Sequence, residues 1–122
     1  MTDYHGIIVY EGLRDESFLK TVTTLGYKKT SDFRLYKISV PEDDINDTMS
    51  RAQDAMEEGP YYCHFYRKHK DIEELFIAFK HRIYRVTADE STWQEPRAHG
   101  LSLHIPLRQL DFYPRRIEDE TW

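Results

Sequence analysis

Between Tyr36 and Met56 the hydrophobic period of this chain changes from two to three or four, and the change falls at Pro41. Tyr36, Ile38 and Val40 alternate as a half-buried strand does, whereas Ile45, Met49, Ala52 and Met56 recur along one helical stripe. Proline lacks the N–H that would continue a ladder, so it ends the strand and releases the helix. Gly59-Pro60 punctuates the far end of that helix, predicted over 42–57. A chain that makes this switch must pack helices on a sheet.

The flanking segments extend the pattern. Ile7, Ile8, Val9 and Tyr10 form a continuous β-branched and aromatic run, as expected of a strand covered on both faces. Asp15 offers a helix cap, Phe18, Leu19, Val22 and Leu25 follow at helical spacing, and Gly26 supplies a stop, which predicts a helix over 15–25. Residues 27–31 and 34–40 read as a hairpin broken at Ser31-Asp32. Residues 61–68 and 75–87 read as two further strands with a turn at 69–74. Ser91-Thr92-Trp93-Gln94 resembles the opening of a short helix that Gly100 would close. The order β-α-β-β-α-β predicts an α+β, ferredoxin-like sandwich with an extra edge strand and a C-terminal helical wrap. Right-handed crossovers would set both helices on one face and leave the other open.

With 122 residues the chain matches one domain, expected over 1–114, followed by a charged tail at 115–122. Nine Tyr, six Phe and two Trp offset a lean 39% apolar share, because each aromatic buries a large area. The net charge of −5 argues against a protein devoted to gripping a nucleic-acid backbone. A single cysteine, Cys63, forbids an internal disulfide and points to a reducing, cytoplasmic setting. The N-terminus lacks a signal pattern, and no apolar run suits a membrane span.

The predicted open face carries the candidate site. Strand periodicity sets Tyr62, His64 and Tyr66 on one side of 61–68, and Lys80, Arg82 and Tyr84 on one side of 75–87. The two sets become neighbours if the intervening turn holds an odd number of residues; an even turn pairs His64 with Ile77 instead. Together the phenols would stack a planar ligand, and the cations would hold an anion. Side chains that merely cover a sheet surface or a dimer seam would show the same pattern.

Other constellations carry less. Cys63 and His64 are adjacent on a strand and therefore face opposite sides, which spoils a thiol–imidazole pair. The spacing of His64 from His69, and of His99 from His104, suits no metal, and no cofactor motif is present. Glu42, Asp43, Asp44 and Asp47 belong at a helix start, where acids offset the unpaired N–H groups. The sequence thus leads to a ligand- or partner-binding, regulatory module, homodimeric through its sheet, taking a small anionic or aromatic ligand. One alternative is a small enzyme with His64 as general acid/base; another is single-stranded nucleic-acid binding by aromatic stacking.

Overall fold

A computed structural model describes residues 3–69, 72–87 and 89–110, with the backbone alone at 68, 69, 72 and 73. The tail expected at 115–122 lies outside the described residues. Among those described, six strands form one open antiparallel sheet: β1 (Tyr4–Val9), β2 (Thr23–Lys29), β3 (Arg34–Val40), β4 (Cys63–His69), β5 (Ile72–Phe79) and β6 (Arg82–Val86). Their spatial order is β2-β3-β1-β4-β5-β6. Two α-helices, α1 (Ile45–Ala55) and α2 (Gln94–Ser102), accompany it. The chain is mixed α+β, and its six-stranded order differs from a plain ferredoxin-like sandwich.

The helix expected over 15–25 does not form. Asp15 does cap a turn, its side chain accepting from the Ser17 amide at 3.0 Å, but the result is a 3₁₀ turn over Glu16–Thr21. The next residues, Thr21 to Thr24, are β-branched and favour extended backbone, so β2 begins at Thr23. Gly26 therefore serves in a strand. The β2–β3 register skips between Thr24 and Gly26, leaving Leu25 as a bulge. Phe18, Leu19 and Val22 still reach the core beside α1. The hairpin starts earlier than the pattern suggested, and Thr30 closes it by accepting from the Phe33 amide at 2.9 Å.

The strand expected over 75–87 is two strands. Phe79 pairs with Arg82 across a turn at Lys80-His81. Only two positions separate β4 from β5, so the turn is even and His64 pairs with Ile77. The helical stripe of α1 is as predicted: Ile45, Met49, Ala52 and Met56 are all buried, although the first turn, Glu42–Asp44, is 3₁₀. Near the C-terminus Asp89, not Ser91, caps the 3₁₀ turn Glu90–Trp93, accepting from the Ser91 amide at 2.9 Å. Gly100 lies inside α2. A Cβ there would meet Leu110 at 2.6 Å, so the glycine permits close approach instead of ending the helix. The reversal comes at His104, whose φ is 68°.

The helices do not share a face. α1 covers one side of the sheet, where Ile8, Ile38, Val40, Phe65 and Ala78 meet Met49, Ala52 and Met56. The other side carries a second core, in which Ile77, Phe79 and Val86 pack under Trp93, Ile105 and Leu110. The segment 89–110 is thus a wrap laid over β4 to β6, so the second face is only partly open. No helix among the described residues is long and apolar enough to cross a membrane.

Candidate functional site

Directly opposed residues of antiparallel strands point to the same side, so the register lays out the wrap face row by row. One row reads Lys37–Ile7–His64–Ile77–Tyr84, from β3 to β6. The neighbouring row reads Ser39–His5–Tyr66–Leu75–Val86. The second turn undoes the parity change made by the first. This is why Tyr62, His64, Tyr66, Arg82 and Tyr84 share a face despite the even β4–β5 turn. They do not touch across it as a single set, because apolar Leu75, Ile77 and Phe79 stand between them.

Lys80 is the exception. It sits in the tight turn, and its ammonium donates to the Gln53 carbonyl of α1 at 3.1 Å, on the opposite side. Arg82 is exposed, with its guanidinium 5.2 Å from the Tyr84 ring centre. Tyr84 packs in turn against Phe79 at 5.9 Å and His99 at 5.8 Å. Tyr66 is buried and meets the edges of His5 and His64 at 6.1 and 5.9 Å. The two cations therefore do not converge on the phenols and imidazole of β4.

Beside Gln109 lies a cleft of about 230 Å³. Its apolar walls come from Ile7 and Val9 of β1 and from Phe33 and Leu35 at the start of β3. Pro60, Tyr61, Tyr62 and His64 form the side that leads into β4, and Gln109 of the wrap closes the end. Tyr62 ties the last two together, donating its hydroxyl hydrogen bond to the Gln109 carbonyl. The wrap is itself pinned. Trp93 Nε1 donates to the Thr87 carbonyl at 2.7 Å, and Arg97 stacks on Trp93 at 4.8 Å while donating to the Leu110 carbonyl. The cleft is therefore built by sheet and wrap together.

Of the residues singled out from sequence, Tyr62 and His64 line this cleft. Ile7, Val9, Phe33, Leu35 and Gln109 did not stand out. Ile7, Val9, Phe33 and Leu35 sit at alternate positions on β1 and at the entry to β3, which reads as core when the covering layer is unknown, and Gln109 carries no signal. The chemistry on offer is apolar enclosure with aromatic edges and one imidazole.

Several polar groups outside the cleft are tied into ion pairs and hydrogen bonds. Arg67 of β4 pairs with Glu42 at 3.0 Å and with Glu74 of β5 at 2.8 Å, and Tyr4 donates to Glu74 at 2.6 Å. Burial alone would raise the Glu74 carboxyl, but the Tyr4 hydroxyl and the Arg67 guanidinium outweigh it and hold it below its usual range. Burial, reinforced by that carboxylate, pushes the Tyr4 phenol up to about 12. Asp47 pairs with Arg51 at 2.9 Å. Two of the acids at the start of α1 are thus spent on ion pairs. Cys63 faces the α1 side, away from His64, and burial pushes its thiol up to about 12, far from a reactive thiolate. Among the described residues no group of three or more His, Cys, Asp or Glu gathers to hold a metal.

No known family model, curated protein or solved structure matches this chain.

Proposed function

We propose that this protein is a binding module that takes a small planar, largely apolar ligand in the cleft between β1, β3 and the wrap. The carrying observation is the cleft itself: about 230 Å³, floored by Ile7, Val9 and Leu35 and edged by Phe33, Tyr61 and Tyr62. An aliphatic floor with aromatic edges suits an aromatic ring, which gains by burial and by edge contacts. Of the two ligand chemistries expected from sequence, the aromatic one is favoured. Lys80 is held by the Gln53 carbonyl and Arg82 lies out beside Tyr84, so neither cation lines the cleft.

His64 lines the same cleft with Tyr62 at 6.2 Å, which keeps a general acid/base role as the second reading. The ferredoxin-like relation belongs to this proposal too. It draws support from the order β2-β3-β1-β4 at one end of the sheet, with α1 in the β3–β4 crossover. A homodimer through the sheet draws on edge strand β2, where Leu25 and Tyr27 are 46% and 50% exposed. Sedimentation equilibrium measures it. A cytoplasmic setting rests on the lone cysteine.

Anilinonaphthalene sulfonate, an aromatic probe, tests the binding reading. It should bind the folded protein with enhanced fluorescence, shift the amide resonances of Ile7, Val9 and Leu35, and lose at least about tenfold in affinity in Leu35→Arg. Unshifted resonances at those three residues, or unchanged affinity in a folded Leu35→Arg, would remove the cleft as the site.

A further inference from the structure

The wrap carries one titratable ring where it meets the second core. His99 of α2 packs against Phe79 of β5 with ring centres 4.5 Å apart, and against Tyr84 of β6 at 5.8 Å. It lies one residue before Gly100, whose missing Cβ lets Leu110 close over the helix. From there the chain returns through Leu107–Gln109, and Gln109 forms the end of the cleft. His99 and the cleft are therefore joined by a short, interlocked stretch. The Ile105 amide donates to the Gly100 carbonyl at 3.0 Å, and Arg97 holds the Leu110 carbonyl at 3.2 Å.

We propose that His99 is a pH-sensitive latch: neutral, it lets the wrap dock and complete the cleft, and protonated, it loosens the wrap and opens the cleft's end. The proposal rests on the binding reading for what the cleft does, but the latch itself is a property of the wrap.

The groups facing the imidazole set the direction. Phe79 presents an apolar ring. From β6 come the Arg82 guanidinium and the Tyr84 ring, and from the β5–β6 turn comes His81. Lys80 of that turn is held on the other side of the sheet by Gln53. On α2 itself, Arg97 is occupied by Trp93 and Leu110. Glu95, one turn earlier, is exposed, and no ion pair joins it to His99 among the described residues. A proton on His99 would thus be half-buried and would face the Arg82 guanidinium, while the His81 ring of the turn is paired with the Glu58 carboxylate. Burial, then Arg82, then His81 hold its pKa below the usual 6.5. The linkage sign follows: the unfolded or undocked ring takes up a proton first, so docking is favoured at neutral pH and weakens as pH falls below about 6.5.

Hydrogen exchange followed by segment tests the latch without any ligand. Protection of residues 94–110 should fall about tenfold more than that of β1 and β3 between about pH 7.5 and about pH 5, after correction for intrinsic rates. His99→Phe and His99→Gln should both abolish this selective loss, whereas His104→Asn should retain it. A pH-independent wrap in the wild type, or an unchanged response in both His99 variants, would overturn the latch. Anilinonaphthalene sulfonate titrated at both pH values separates the two readings. Selective loss of protection with no probe binding at either pH keeps the latch and sinks the binding function; cleft binding with a pH-independent wrap does the reverse.

Discussion

Single atoms decide several features of this molecule. Gly6 lies on β1 between two strands, and a Cβ there would meet the Phe65 ring at 2.8 Å and Ile38 at 3.0 Å. Both neighbours are fully buried and cannot swing away. Gly6→Ala should therefore destabilise the fold by about 1–3 kcal/mol in urea unfolding, through overpacking and not through backbone strain. A neutral result would mean that the α1 face has slack. The same close approach at Gly100 shows why residue-level reading of the sequence succeeds and fails together. A glycine after an apolar stretch marks a helix stop in most contexts, and only the partner Leu110, ten residues away, reveals the other use. The stripe Ile45, Met49, Ala52 and Met56 was legible because its meaning is local. The roles of Gly26, Gly100 and Lys80 were not, because each depends on a neighbour remote along the chain or across the sheet.

At the level of elements, the clamp formed by Glu42, Arg67, Glu74 and Tyr4 ties the start of α1 to β4, β5 and β1. The Arg67 and Glu74 side chains are nearly buried, and Glu74→Gln leaves Arg67 with the Glu42 carboxylate alone. The substitution should cost about 1–3 kcal/mol at neutral pH. Because the folded state holds the Glu74 carboxyl below 4.5, its contribution is present above that pH and is lost as pH falls through the folded value. Unfolding free energies measured from about pH 6 down to about pH 3 should therefore fall less steeply in the variant than in the wild type. Parallel slopes would show that other carboxylates govern the acid limb. The turn between β5 and β6 explains why the pattern over 75–87 reads as one strand. Lys80-His81 carries no Gly, Asn or Pro, and neither residue needs one: among the described non-glycine residues only His104 has positive φ. A turn without special backbone leaves no punctuation. His64 keeps its face because the second turn restores the parity that the first changes.

On the scale of the whole molecule, one sheet serves two cores that share few side chains. Ile105 is fully enclosed in the wrap core, and Ile105→Ala should cost about 2–5 kcal/mol by loss of burial and cavity formation. If the cores are semi-independent, amides of 94–110 in that variant should exchange through a local opening while those of α1 remain protected. Uniform loss across both faces would instead make the sheet a single cooperative unit. The placement of Cys63 adds a practical consequence. The chain's lone thiol sits under α1 with its sulfur directed at the Ala78 carbonyl, and in that state it is closed to alkylating reagents. It behaves as a stopwatch on one side of the molecule only: a maleimide can react with it when sheet and helix part, whatever the wrap is doing. A second cysteine placed at Gln109, half-buried at the end of the cleft, would report on the wrap with the same reagent, beside an independent clock under α1 in the same polypeptide.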